Sequence, residues 1–171
     1  MIDVLPIADK ELFLKYAIPC GRVLVERGTL DSKVLERLHR NVTYERDIRE
    51  RVEECFPVAS KMTSIIARRM GKDSVDAEVI RKYFLLEHKK AVDWRARLFP
   101  DIRKEECIVY PARVLEAGNK IVVNTPVGER AVRDDFVKGL KRNDWVTVHY
   151  DFVGEMIDRK TAERMLRGIR E

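Results

Sequence analysis

Along the first hundred positions apolar residues recur at three- and four-residue steps; beyond them they alternate with polar ones. The first spacing lays an apolar stripe along a helix, and the second puts one face of a strand towards a core. Asp9 to Arg27 carries Leu12, Ala17 and Leu24 among charges. Pro19 interrupts it, which predicts two short helices, and Gly28 is the expected stop. Asp31 or Ser32 caps a second helix running to about His39. In the third, Ile48, Val52, Cys55, Ala59, Met62, Ile66 and Met70 form the stripe, with a bend at Pro57 and an end at Gly71. Asp73 or Ser74 then caps a fourth, whose buried side is expected to hold Val79, Ile80, Tyr83, Phe84, Leu86, Ala91, Trp94 and Leu98.

The texture changes near Pro100. Phe99 to Glu106 reads as a short charged connector, and five strands are predicted near 107–116, 120–125, 129–134, 144–150 and 152–157. Ala117-Gly-Asn119 and Pro126-Val-Gly128 supply the first two turns. Strands this short with regular turns suit a small barrel or sandwich. Asp158 caps a closing helix that docks through Ala162, Met165, Leu166 and Ile169. The reading is α+β: a helical bundle over 1–104, a small β-domain with a C-terminal helix over 105–171.

Composition narrows the classes. Hydrophobic residues at 45% provide for a core, which argues against disorder. No apolar run reaches membrane-span length, and the opening Met1-Ile-Asp-Val-Leu-Pro6 does not read as a secretory signal. Cys20, Cys55 and Cys107 are odd in number and far apart, which disfavours a disulfide framework and fits a reducing cytoplasm. Gln is absent and Asn occurs only at 41, 119, 124 and 143, a thermophile-like balance beside abundant Arg, Lys and Glu. The net charge of +5 is mild, and its positives interleave with 29 acids, which favours solubility over a nucleic-acid footprint.

Little of the chain carries recognisable chemistry. Glu36-Arg-Leu-His39 is a single Glu-x-x-His, where a di-iron bundle needs two. Cys20 and Cys55 sit among apolar neighbours and read as core, and His88, beside Glu87, reads as part of a polar helix face. Arg68, Arg69 and Lys72 gather at a helix end, where cations suit the dipole. Phosphate-cradling loops, hydrolase elbows and paired carboxylates are absent from the sequence, so the chain reads as a non-enzyme.

Cys107 and His149 stand apart. In the fourth strand Val146, Val148 and Tyr150 share one face, while Trp145, Thr147 and His149 share the other, so His149 is expected to point away from the core. Cys107 falls in phase with Arg113, whose guanidinium would favour the metal-binding thiolate. Both residues read equally well as packed side chains. Two ligands are too few for a closed zinc site but enough to hold a metal group and pass it on.

Residues 107 to about 167 resemble the hydrogenase-maturation chaperones of the HypC/HupF type. The family opens with Cys, a few apolar residues and Pro-Gly-(Lys/Arg/Gln)-Val, similar to Cys107-Ile-Val-Tyr-Pro111-Ala-Arg-Val114. Its later hydrophobic-Val-His segment is similar to Trp145-Val-Thr-Val-His149-Tyr-Asp-Phe152, with Ile157-Asp158 and Ala162 beyond. Gly128-Glu-Arg-Ala-Val132 and Asp135-Phe-Val137 fall where the family has its intermediate steps. The resemblance implies an OB-like β-barrel with a trailing helix. It implies a non-catalytic metallochaperone or scaffold in nickel–iron hydrogenase maturation, handling iron transiently through Cys107 and His149, with Arg113 and Thr147 in support. The implied partner is a protein of hydrogenase assembly. The family cysteine lies at or near the amino terminus, whereas Cys107 follows Glu106 in mid-chain; Ala112 and Asp151 replace family glycines.

Two alternatives accompany this reading. An OB-like barrel also binds single-stranded nucleic acid, here through Arg113, Arg130, Arg133, Lys141, Arg142, Trp145 and Tyr150. The other is a structural adaptor whose metal site has decayed.

Overall fold

A computed structural model describes residues 3–100 and 103–170; Asp101 and Ile102 of the expected connector lie outside the described residues. The chain divides into two compact units, Met1–Tyr83 and Phe84–Glu171.

The first unit is helical: α1 (Lys10–Ala17), α2 (Gly21–Glu26), α3 (Ser32–Thr43), α4 (Val52–Cys55), α5 (Pro57–Arg69) and α6 (Ala77–Arg81). Pro19 sits in a single 3₁₀ turn, Ile18–Cys20, that splits the first predicted helix in two, and Gly28 ends it with φ +76°. The Asp31 carboxylate accepts from the Lys33 and Val34 amides at the start of α3, which runs four residues past His39. Tyr16, Tyr83, Phe13, Leu14, Leu38 and Ile80 are its largest fully buried side chains. Phe13 meets Phe56 edge-on at 6.2 Å. A parallel bridge pairs Ile7 with Val75, which the periodicity does not predict.

Three helix expectations need correction. Ile48 precedes the helix, which begins at Val52. In α5 the buried face is Ser60, Thr63, Ser64, Ile66 and Ala67, while Ala59, Met62 and Met70 are half-buried. Thr63 Oγ1 donates to the Ala59 carbonyl and Ser64 Oγ to that of Ser60, both at 2.7 Å, so these small hydroxyls are buried with their bonds made inside the helix. The cap of α6 is Asp76, which accepts from the Val79 amide at 3.0 Å; Asp73 and Ser74 lie in the preceding turn.

A π-helical stretch, Lys82–Glu87, leads into α7 (His88–Leu98). A π turn carries an extra residue and shifts the phase of the helix after it. The buried positions become Phe84, His88 and Val92, leaving Trp94 62% and Leu98 55% exposed where the unshifted stripe predicted burial.

The rest of the second unit is α8 (Lys104–Cys107), then β1 (Tyr110–Ala117), β2 (Ile121–Thr125), β3 (Gly128–Val132), β4 (Trp145–His149), β5 (Phe152–Ile157) and α9 (Arg159–Arg170). The strands form one antiparallel sheet in the order β3-β2-β1-β4-β5. β1 serves two neighbours: Tyr110–Arg113 pair with β4 and Arg113–Ala117 with β2, the latter ladder shifting register at a bulge between Val114 and Glu116. Thr125 faces Gly128 across a two-residue turn, where Gly128 adopts φ +120°. Just past β3, Arg133 donates its amide to the Asp151 carbonyl (2.7 Å) and accepts from Val153 (2.9 Å), a parallel bridge to β5. Asp158 caps α9 by accepting from the Thr161 amide, and Ala162 and Met165 are its fully buried residues. Among the described residues no helix is long and apolar enough to cross a membrane.

Candidate functional site

The chain leaves α8 at Cys107, so this cysteine ends a one-turn helix; the alternation that paired it with Arg113 does not extend to it. α8 is tied to α7 by charge: Asp93 takes Lys104 Nζ at 2.6 Å on one oxygen and Lys89 Nζ at 2.7 Å on the other. Burial works against the Asp93 charge, but the two lysines outweigh it and hold its pKa below the ordinary range. Val92 of α7, Ile108, Tyr110 and the half-buried Cys107 and Ile169 pack into one apolar cluster.

Across from Cys107, β4 turns into β5 at Tyr150, which takes the left-handed backbone region (φ +54°) that side chains other than glycine seldom occupy. Both its backbone groups are engaged: its amide donates to the Glu106 carbonyl at 3.1 Å, and Arg130 Nη1 donates to its carbonyl at 2.9 Å. So held, its phenol lies 2.6 Å from Cys107 Sγ, a hydrogen bond in which either atom can be the donor.

His149 is fully buried, which corrects the expectation that it points away from the core. Every β4 residue from Val146 to His149 is buried, so neither face of this strand is open. The face expected to be solvated carries Phe84 and His88, whose rings lie 6.4 and 5.3 Å from that of His149. The Tyr150 ring is 5.1 Å away on the next residue.

His88 is likewise buried rather than on a polar face. Its Nε2 is 2.9 Å from the Cys107 carbonyl. A carbonyl only accepts, so Nε2 carries the proton and donates. Burial, then the neighbouring His149, pushes the His88 pKa down to about 3; the Cys107 carbonyl opposes this in part, and Arg95 adds to it. His88 is therefore neutral at physiological pH. The result is a closed circuit: His88 to the Cys107 carbonyl, Cys107 sulfur to the Tyr150 phenol, Tyr150 ring to His149, His149 ring to His88.

The structure thus brings Cys107 and His149 against the same tyrosine. It does not bring in the two supporting residues. Arg113 is exposed, with its guanidinium over the Trp145 ring, 6.0 Å from the centroid. Thr147 is buried, and its hydroxyl accepts from the Glu155 amide where the β4–β5 register shifts. The residues considered for nucleic acid have separate engagements. Arg130 holds the Tyr150 carbonyl, while Arg133 pairs with Asp135 and lies over Phe152. Lys141 and Arg142 are exposed in the turn before β4. Cys20 and Cys55, expected in the core, are half-buried. Among the described residues no group of three or more His, Cys, Asp or Glu side chains is arranged to hold a metal ion.

Sequence reasoning missed His88 and the bond from Tyr150 to sulfur. The 84, 88, 92 spacing carried the signal for His88. A left-handed tyrosine has no comparable signature. Comparison of the chain with protein-family models and with curated proteins finds no match.

Proposed function

We propose that residues 105–171, within the Phe84–Glu171 unit, form a HypC-like, non-catalytic metallochaperone of nickel–iron hydrogenase maturation, working in the cytoplasm and handling iron transiently through Cys107 and His149. The observation that carries this reading is the shared tyrosine: the sulfur bonds to the Tyr150 phenol and the imidazole lies against its ring. Those are the two residues that the resemblance to HypC singles out. A thiolate and an imidazole suit iron, and two protein donors leave positions open for the cargo's own ligands. Cys107, half-buried, meets the iron first. His149 is fully buried against the Phe84, His88 and Tyr150 rings, so its engagement requires part of this wall to move.

The sheet supports the same reading. A bulged first strand shared by two neighbours, together with the Arg133–Phe152 bridge, fits a small OB-like barrel with α9 trailing it. The helical front half, read as a small bundle over 1–104, supplies contacts for a protein partner of the assembly type.

The test is anaerobic Fe(II) binding by the full chain, by Cys107→Ala and by His149→Ala, each checked for folding. Loss of binding in Cys107→Ala and weakening in a folded His149→Ala are expected. Binding unchanged by both substitutions removes the proposal.

A further inference from the structure

Cys107 is positioned by tethers more than by the element it belongs to. α8 is one turn long, and a single turn is marginal on its own in water. The Glu106 carbonyl is held by the Tyr150 amide and Lys104 by Asp93; Cys107 itself donates its amide to the Arg103 carbonyl, bonds through its sulfur to the Tyr150 phenol, and is held through its carbonyl by His88, the tether that comes from α7. Phe84 and Val92, one helical turn before and after, are apolar, so an apolar residue at 88 would complete the stripe at lower desolvation cost. Histidine sits there with its Nε2–H donated to that carbonyl, and its ring packs edge-on to His149, with 83° between the planes.

We infer that His88 is a positioning residue of this site: by holding the Cys107 carbonyl and backing the His149 ring, it sets where the sulfur and the imidazole stand relative to each other. The role rests on the reading of Cys107 as the iron-bearing residue. His88 lies outside the 107–167 span that resembles HypC, so the α7 segment contributes part of the site.

The experiment compares full-length wild type with His88→Leu, His88→Gln and His88→Asn. Iodoacetamide labelling at neutral pH, resolved by peptide mass spectrometry, reads Cys107 separately from Cys20 and Cys55. Leu fills the space without a donor. Gln places an amide N–H near the position of Nε2, and Asn falls short of it. Cys107 labelling is expected to rise about five- to tenfold in His88→Leu and His88→Asn, the scale of one lost net hydrogen bond. Cys20 and Cys55 stay unchanged, and His88→Gln stays within about twofold of wild type on the same scale. If His88→Leu unfolds the Phe84–Glu171 unit, the fluorescence of Trp94 and Trp145 shows it, and the Gln–Asn pair decides. Equal labelling of Cys107 in Gln and Asn, or wild-type labelling in a folded Leu variant, overturns the inference. Anaerobic Fe(II) titration of the same proteins is expected to show about tenfold weaker binding in Leu and recovery in Gln. If wild type binds no Fe(II), the chaperone reading fails, and the labelling alone decides whether His88 holds Cys107.

Discussion

The buried His88 makes the second unit sensitive to mild acid. An ordinary imidazole takes a proton near 6.5; burial first, and the adjacent His149 next, keep His88 unprotonated down to about 3. Between those values the unfolded chain binds a proton that the folded chain refuses, so stability falls as pH drops below 6.5 and falls no further from this source below about 3. From about pH 8 to about pH 5 the loss is about 2 kcal/mol, and its full extent is about 5 kcal/mol. The shifted carboxylates act lower. Asp93 and Asp158 are held below the ordinary carboxylate range, and the stability they add is present above that range and lost beneath it, so a comparison at about pH 5 and above largely leaves them out. Both tryptophans, Trp94 and Trp145, lie in the Phe84–Glu171 unit, so their fluorescence in a urea titration reports on that unit. His88→Gln, which cannot titrate, is expected to lose about 2 kcal/mol less than wild type between the two pH values. An equal loss in both proteins would falsify the assignment of this acid sensitivity to His88.

Packing and backbone give two further outcomes. His149→Ala empties a fully buried site walled by Phe84, His88 and Tyr150 and is expected to destabilise the unit by about 2–4 kcal/mol in the same titration; a loss under about 1 kcal/mol contradicts that burial. Gly128→Ala forces a side chain to φ +120° at the β2–β3 turn and is expected to cost about 1–3 kcal/mol, with an unchanged urea midpoint as the contrary result.

The strands were legible because alternation and turn residues agree: Pro126-Val-Gly128 marked the hairpin, and four of the five predicted strands lie within about a residue of those observed at their starts. Cys107 was misplaced because Lys104–Cys107 is a single helical turn, too short to leave a periodic signal. His149 was misread for a different reason. Alternation says which residues share a face but not whether a helix covers it, and the Phe84–His88 face does so here. The π turn at Lys82–Glu87 hid that cover, since it moves burial from Trp94 and Leu98 to His88 and Val92. In α5 the apolar spacing did not mark Thr63 and Ser64, whose bonds to the helix's own carbonyls let them sink. The candidate pair itself was named from motif order, while the tyrosine that joins it depends on a backbone angle that the residue type does not announce.

The bridge at Arg133 has a consequence for how the protein behaves in a crowd. β3 and β5 are the outermost members of the sheet, the places where a stray chain would add itself. Because the residue after β3 spends its amide and carbonyl on Asp151 and Val153, the two borders fasten to each other at that point. Part of the ladder that could recruit a second molecule is already occupied from within, which guards this small unit against growing into aggregates.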